Sequence, residues 1–274
     1  MRVEPLAPAI EGSFLKFIRR DIISNFFALL DLELYREETK FWVALENAEI
    51  SGYMLEHDGR DLNLRGDVKS AAELLNEASL AEPFINIEPR HLPILKTFYE
   101  PIRRLGPPTE EKIATLLVMG MDRKQFKPII EQTPKELGAN KLEVVGNLYR
   151  SFYEEAEMGP ITRDDILKAF RERLIYGTCE GGELVSFASG VTIEDLSYVG
   201  HVYTLPKFRG RGHATSTCSA LVNALLDHSE KVIIMVLADN SAAREMYRKI
   251  GFIETGHEFL AFKGCKISGQ KAEV

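Results

Sequence analysis

Chemistry is concentrated in His201-Val-Tyr-Thr-Leu-Pro-Lys-Phe-Arg-Gly-Arg-Gly-His-Ala-Thr215. A β-branched and aromatic run enters Pro206, passes through a basic turn with two glycines, and continues into an amphipathic stretch. Strand, turn and helix start in that order aim several backbone N–H groups at one point, backed by the positive end of a helix dipole. Gly210 and Gly212 carry no Cβ, so a ligand can approach the backbone there. Residues 196–226 contain no Asp or Glu, while Lys207, Arg209 and Arg211 fall among them. A local charge of +3 at a helix N-terminus suits a polyanion such as a pyrophosphate. Taken alone, the loop also reads as a solvated basic turn capped by glycine. It is no Walker loop, because no Gly-Lys-Ser or Gly-Lys-Thr occurs in it, and as a dinucleotide fingerprint it has Thr215 in place of the third glycine.

Downstream, residues 232–237 are apolar without alternation and read as a strand buried on both faces. Asn240 and Tyr247 follow, seven residues apart, which is two helical turns and one helix face. Singly, Asn240 reads as a helix N-cap and Tyr247 as packing.

Positioning this loop takes a sheet with covering helices. Apolar residues at three- and four-residue spacing predict a helix over 13–30. Strands are expected at 41–45, 50–55, 62–65, 84–87 and 113–119, with turns at Asn47 and Asp58-Gly59, and helices at 68–75 and 91–99. Residues 127–140 lose periodicity and carry Pro128, Pro134 and Gly138, so a domain boundary is placed at 135/136. Beyond it the pattern predicts helices at 141–157, 163–173, 213–227 and 240–249. Strands are expected there at 175–179, 184–191, 196–204, 232–237 and 258–262. The expectation is an α/β protein of two domains, 1–135 and 136–274. The halves also resemble each other: an offset of 134 residues pairs Glu46 with Glu180, Glu49 with Glu183, Asp61 with Asp195, Leu62 with Leu196 and Gly66 with Gly200.

Composition narrows the function. The 274 residues are 45% hydrophobic and 27% charged, enough for a packed core. A net charge of −7 argues against coating nucleic acid or an anionic membrane. No apolar run approaches a membrane span, and no secretory signal is visible at the start. Cys179, Cys218 and Cys265 are widely spaced and form no metal-ligand pattern, so reduced thiols in a cytoplasmic protein and no metal are expected.

The stretch Arg209-x-x-Gly212-x-Ala214 resembles the acyl-CoA loop of the GNAT superfamily of N-acetyltransferases. Asn240-x6-Tyr247 followed by Gly251-Phe252 is similar to that family's second motif. The phrase from Tyr203 to Gly212 is nearest in flavour to the glycine N-acyltransferase, FR47-like branch, which also carries a degenerate GNAT-like N-terminal half. The resemblance implies two GNAT-like domains with mixed sheets, the N-terminal one degenerate. There, Leu75-Asn-Glu-Ala-Ser-Leu80 stands where the loop would fall and no cofactor is expected.

For activity, the resemblance implies acyl transfer from acetyl-CoA, as cosubstrate, to an amine acceptor, by a monomer or homodimer. Val202, Tyr203 and Thr204 would pair with the pantetheine arm, and Arg209, Gly210, Arg211, Gly212, His213, Ala214 and Thr215 would hold the pyrophosphate. Asn240 would position the pantetheine or adenylate side, and Tyr247 would be the general acid. The base departs from the family. The two strand positions where members carry a Glu are Tyr198 and Met235 here. Tyr198, Glu194, Asp195, His201 or a water chain remain as substitutes. The missing carboxylates also leave open a non-catalytic acyl-CoA-binding protein.

Overall fold

A computed structural model describes residues 1–267 as two compact units. The first comprises residues 1–116 with, among the described residues, 257–267. Its sheet runs β1 (Arg2–Pro5), β2 (Thr39–Glu46), β3 (Glu49–His57), β4 (Asp61–Gly66), β5 (Phe84–Ile87) and the second half of β13 (Ile253–Lys266), which also pairs β6 (Tyr99–Arg104). Only β4 and β5 run parallel; the other pairs are antiparallel. The two hairpins turn on Asn47-Ala48 (φ 51° and 65°) and Asp58-Gly59 (φ 48° and 65°), left-handed pairs whose twist matches that of the strands. Helix α3 (Val68–Leu75) links β4 to β5 and packs Ala71, Leu74 and Leu75 against Met54, Leu62 and Ile85. α1 (Pro8–Ile18) brings Phe14 edge-on to Phe41 and Tyr53.

The single helix expected over 13–30 is two, α1 and α2 (Phe26–Leu34). Between them Asp21 Oδ1 accepts from the Ser24 backbone N–H, and the Asn25 side chain donates from Nδ2 to the carbonyls of Ile18 and Asp21. Such short polar side chains compete with the helical ladder, and periodicity does not register them. The helix expected over 91–99 shrinks to α4 (Leu92–Leu95), because the Thr97 hydroxyl bonds the Ile94 carbonyl and Tyr99 is drawn into β6. The expected final strand is longer on both sides, and β1 and β6 were not anticipated.

The second unit is Leu117–Gly256, so the compact units do not divide at 135/136. The chain returns to the first unit through β13, whose residues Leu260 to Lys266 pair β5 and β6. The aperiodic 127–140 segment is a strap within the second unit: Ile129 N–H donates to Ser219 Oγ, and the Glu131 and Gln132 amides both donate to Ser216 Oγ.

The sheet of this unit runs β8 (Lys135–Glu136), β9 (Leu174–Glu180), β10 (Glu183–Ile193), β11 (Leu196–Thr204) and β12 (Lys231–Leu237), with β7 (Ala114–Asp122) beside β12. β11 and β12 run parallel, whereas β8–β9, β9–β10 and β10–β11 are antiparallel. α5 (Leu142–Glu155) and α6 (Arg163–Glu172) bury Tyr149 and Ile166 with Phe187 and Tyr203 on one face. α7 (His213–Leu225) and α8 (Ser241–Ile250) bury Cys218, Leu221 and Tyr247 with Ala188 and Val199 on the other.

The two units share one order: three antiparallel strands, a helix, then a parallel strand. They differ where it matters. β11 reaches α7 across the eight residues 205–212, whereas β4 reaches α3 across Asp67 alone. Residues 75–80, expected in the loop's place, lie instead at the C-terminal end of α3. The offset that aligns β3 with β10 does not survive the longer connection. At the equivalent point Asp67 caps α3, its carboxylate accepting from the Ser70 amide at 2.6 Å.

Candidate functional site

The parallel pairing of β11 and β12 is short. It runs from Leu196 opposite Lys231 to Val199 opposite Ile234 and stops. In the first unit, β4 stays paired with β5 along the whole of β5, from Phe84 to Ile87. Beyond Val199, residues 201–204 of β11 keep β10 as neighbour on one edge, and among the described residues no strand pairs their other edge. Backbone groups on such an edge seek partners, which an extended ligand can supply.

At the point of separation β11 bulges. Ser189 faces His201 while Gly190 faces Val199, which leaves Gly200 as the extra residue. A Cβ on Gly200 would lie 3.0 Å from Arg173 Nη1 and 3.3 Å from the Tyr198 ring, so the site is close-packed around glycine. Past Thr204 comes a single 3-10 turn, Pro206–Phe208, then Gly210 (φ 76°) and Gly212 (φ 78°), the latter the N-cap of α7. The left-handed backbone at both positions favours glycine. The first-turn amides of α7, at His213, Ala214 and Thr215, have no upstream helical carbonyl, and the Glu131 carboxylate stands beside them, its Oε2 2.5 Å from where a Cβ on Gly212 would lie.

The charge of the turn differs from the sequence expectation. Lys207 pairs with Glu183 at 3.0 Å, Arg209 with Glu155 at 2.6 Å and Arg211 with Glu180 at 2.6 Å. The +3 seen along the chain is therefore offset by carboxylates from β10, α5 and β9. Arg209 also donates from Nε to the Thr204 carbonyl, and its guanidinium lies 5.5 Å from the centre of the Tyr203 ring. The His213 side chain is buried: Nε2 donates to Glu180 at 2.7 Å and Nδ1 lies 3.1 Å from the Thr178 hydroxyl. Of His213 only the backbone remains for a ligand. Tyr203 and Thr204 are likewise buried, the Thr204 hydroxyl donating to Ser186 Oγ at 2.7 Å. Any strand-like pairing there falls to main-chain atoms.

Asn240 caps α8, its Oδ1 accepting from the Ala243 amide at 3.0 Å. Tyr247 is buried with its ring edge-on to Phe252, and burial, reinforced by Cys218 and Tyr198, drives its phenol well above the ordinary value. Burial pushes Tyr198 up to about 12, against the pull of Arg173, so its phenol is held neutral. Glu194 is exposed in the β10–β11 turn with φ 50°, and Asp195 is its neighbour there. Both turn acids precede β11, and four strand residues, Leu196 to Val199, lie between them and the bulge at Gly200.

His201 accompanies the bulge instead. Its Nδ1 is 2.9 Å from Ser189 Oγ, and its ring stacks on Tyr153 and meets Tyr149 and Phe152 edge-on. Burial, then Arg173, pushes it down to about 3. Arg173, Tyr149, Ser189 and Glu180 reach this region from other elements and belong to no local motif, so sequence reading missed them. Among the described residues no group of three His, Cys, Asp or Glu side chains could hold a metal, and no helix is long and apolar enough to cross a membrane.

Residues 175–260, which span β9 to most of β13, match the family of FR47-like proteins. No curated protein matches the chain by sequence. Solved structures do match in fold. A GCN5-related N-acetyltransferase from Sphaerobacter thermophilus is 16% identical, with 97% of this chain and 95% of that one covered at a TM-score of 0.66. A Drosophila protein is 14% identical, with 95% and 98% covered at 0.68. A tandem GNAT protein from the clavulanic acid biosynthesis pathway is 11% identical, with 98% and 99% covered at 0.57. With the strand separation, the bulge and the glycine turn all in the second of two like units, the chain has the fold of a tandem GNAT-superfamily protein whose C-terminal unit carries an FR47-like segment.

Proposed function

We propose that the chain is an acyl-CoA-dependent N-acyltransferase that moves an acetyl or short acyl group directly to an amine of a small molecule or peptide. One observation carries this reading. β11 and β12 part at Val199 and Ile234, one residue before the bulge, and β11 then leads into a turn of two left-handed glycines that opens a helix.

The free edge of β11 at Val202, Tyr203 and Thr204 offers main-chain partners to the pantetheine amides. The amides from Gly210 to Thr215 take the diphosphate, with Arg209 and Arg211 nearby. An N–H near Val202 stabilises the oxyanion that develops on the thioester carbonyl. Asn240 lies toward the pantetheine or adenylate side. The amine nitrogen bonds the carbonyl carbon, the C–S bond breaks, and Tyr247 gives its proton to the leaving sulfur. The nitrogen loses its own proton to water, and an amine of low pKa does so most readily. The first unit binds no cofactor in this scheme, because Asp67 would set a carboxylate against the diphosphate. No metal, nucleic acid or membrane is required of this protein, and a cytoplasmic monomer or homodimer suffices.

Purified protein with acetyl-CoA and a panel of amines should release free thiol only when a suitable amine is present. No release above background with any amine would remove this reading. A second one, a non-catalytic acyl-CoA-binding protein, draws on Tyr198 and Met235, a phenol and a thioether where a carboxylate would serve. It expects tight CoA binding that survives Tyr247→Phe, with no turnover at any pH.

A further inference from the structure

Each cation of the glycine turn is matched by a carboxylate of the same unit, but the three pairs are built differently. Lys207 and Glu183 form an exposed pair, weakened by water and salt. Glu155 meets an Arg209 already tied to the turn by its Nε bond to Thr204. Glu180 is fixed from behind. Its Oε2 accepts from Nε2 of His213, a fully buried ring with Thr178 on its other nitrogen, while its Oε1 takes Nη1 of Arg211 at 2.6 Å. Arg211 bends back to reach it, donating also to the Lys207 carbonyl at 3.2 Å. His213 is the first residue of α7, so Glu180 sets a full negative charge at the end of the helix where an anion is favoured.

We propose that Glu180 is a resident counter-anion of the glycine turn, holding the Arg211 guanidinium until a diphosphate draws it away. The inference rests on the acyl-CoA reading above. When Arg211 leaves, the carboxylate does not follow, because His213 retains it. Glu180 therefore opposes the diphosphate twice, by competing for Arg211 and by like charge, and keeps affinity below what the backbone cradle alone would give. Such a device favours release of the spent CoA.

Calorimetric titration with CoA tests this, using the full chain, Glu180→Gln, Glu180→Asp, Arg211→Ala and the Glu180→Gln/Arg211→Ala double variant. Glu180→Gln should bind CoA about twofold to fivefold more tightly than wild type at low salt. That margin should shrink at high salt and be smaller in the Arg211→Ala background. Glu180→Asp, which keeps the charge, should bind much as wild type does. Damage to the fold weakens binding, so tightening cannot come from it. Equal or weaker binding by Glu180→Gln, with wild-type binding intact, overturns the assignment, as does an equal gain with and without Arg211. If wild type itself gives no heat with CoA, the acyl-CoA reading falls, and this inference with it.

Discussion

Tyr198 and His201 share one face of β11 although an odd number of positions separates them. Their partners on β10, Val191 and Ser189, are two residues apart, and Gly200 is the extra residue between them. Plain alternation would put the two rings on opposite faces. With the bulge, both feel the Arg173 guanidinium, which opposes the rise that burial gives Tyr198 and adds to the fall that burial gives His201.

His201 should make the fold acid-sensitive. The unfolded chain takes up a proton near 6.5, whereas the folded ring resists it until about 3. Between those values the unfolded state binds more protons, so stability is fully present above 6.5 and is lost as pH falls toward 3. Thermal midpoints against pH should therefore decline more steeply for wild type than for His201→Gln across that window. Parallel curves would show a ring that titrates normally in the fold.

Tyr247→Phe separates chemistry from packing. Burial raises its phenol well above the ordinary value, so the group is neutral and carries the proton it would give up. The substitution should cost about 100-fold in kcat, within the usual range for a general acid, while the KM for acyl-CoA and the Tm hardly move. Phe preserves the ring contact with Phe252. A kcat within twofold of wild type would take the proton transfer away from this residue.

Asn240 has an observed role, the cap of α8, and a proposed one toward the ligand. Asn240→Ala should lose about 1 kcal/mol of stability, which Asn240→Asp should largely restore because it also caps. Denaturant melts report the cap, and CoA titration of the Asp variant reports the ligand. A stable Asp variant with weakened CoA binding assigns the side chain to both tasks.

Two glycines with left-handed backbones should respond very differently to alanine. A Cβ on Gly210 meets nothing within 4 Å, so Gly210→Ala should cost only the conformational strain, about 1–2 kcal/mol. A Cβ on Gly251 would stand 2.1 Å from the Gln125 carbonyl oxygen, a backbone atom that cannot swing aside. Gly251→Ala should cost more than about 4 kcal/mol and disturb the end of α8, four residues beyond Tyr247. Urea melts of the two variants give the comparison directly.

Much of this protein is written in short stretches of its sequence. The Asn47 and Asp58-Gly59 turns, α3 and β11 lie where patterning puts them, because turn chemistry and apolar spacing act within a few residues. The strand–turn–helix of residues 201–215 is equally local, and with it the backbone cradle. What the turn's charges do was decided by the tertiary structure. Glu155, Glu180 and Glu183 stand 54, 31 and 24 residues from the cations they meet, beyond the reach of any spacing rule. The same holds for the return of β13 to the first unit, the extra residue at Gly200, and the opposite displacements of Tyr198 and His201. Pairing and desolvation depend on which distant segments come together, and only folding settles that.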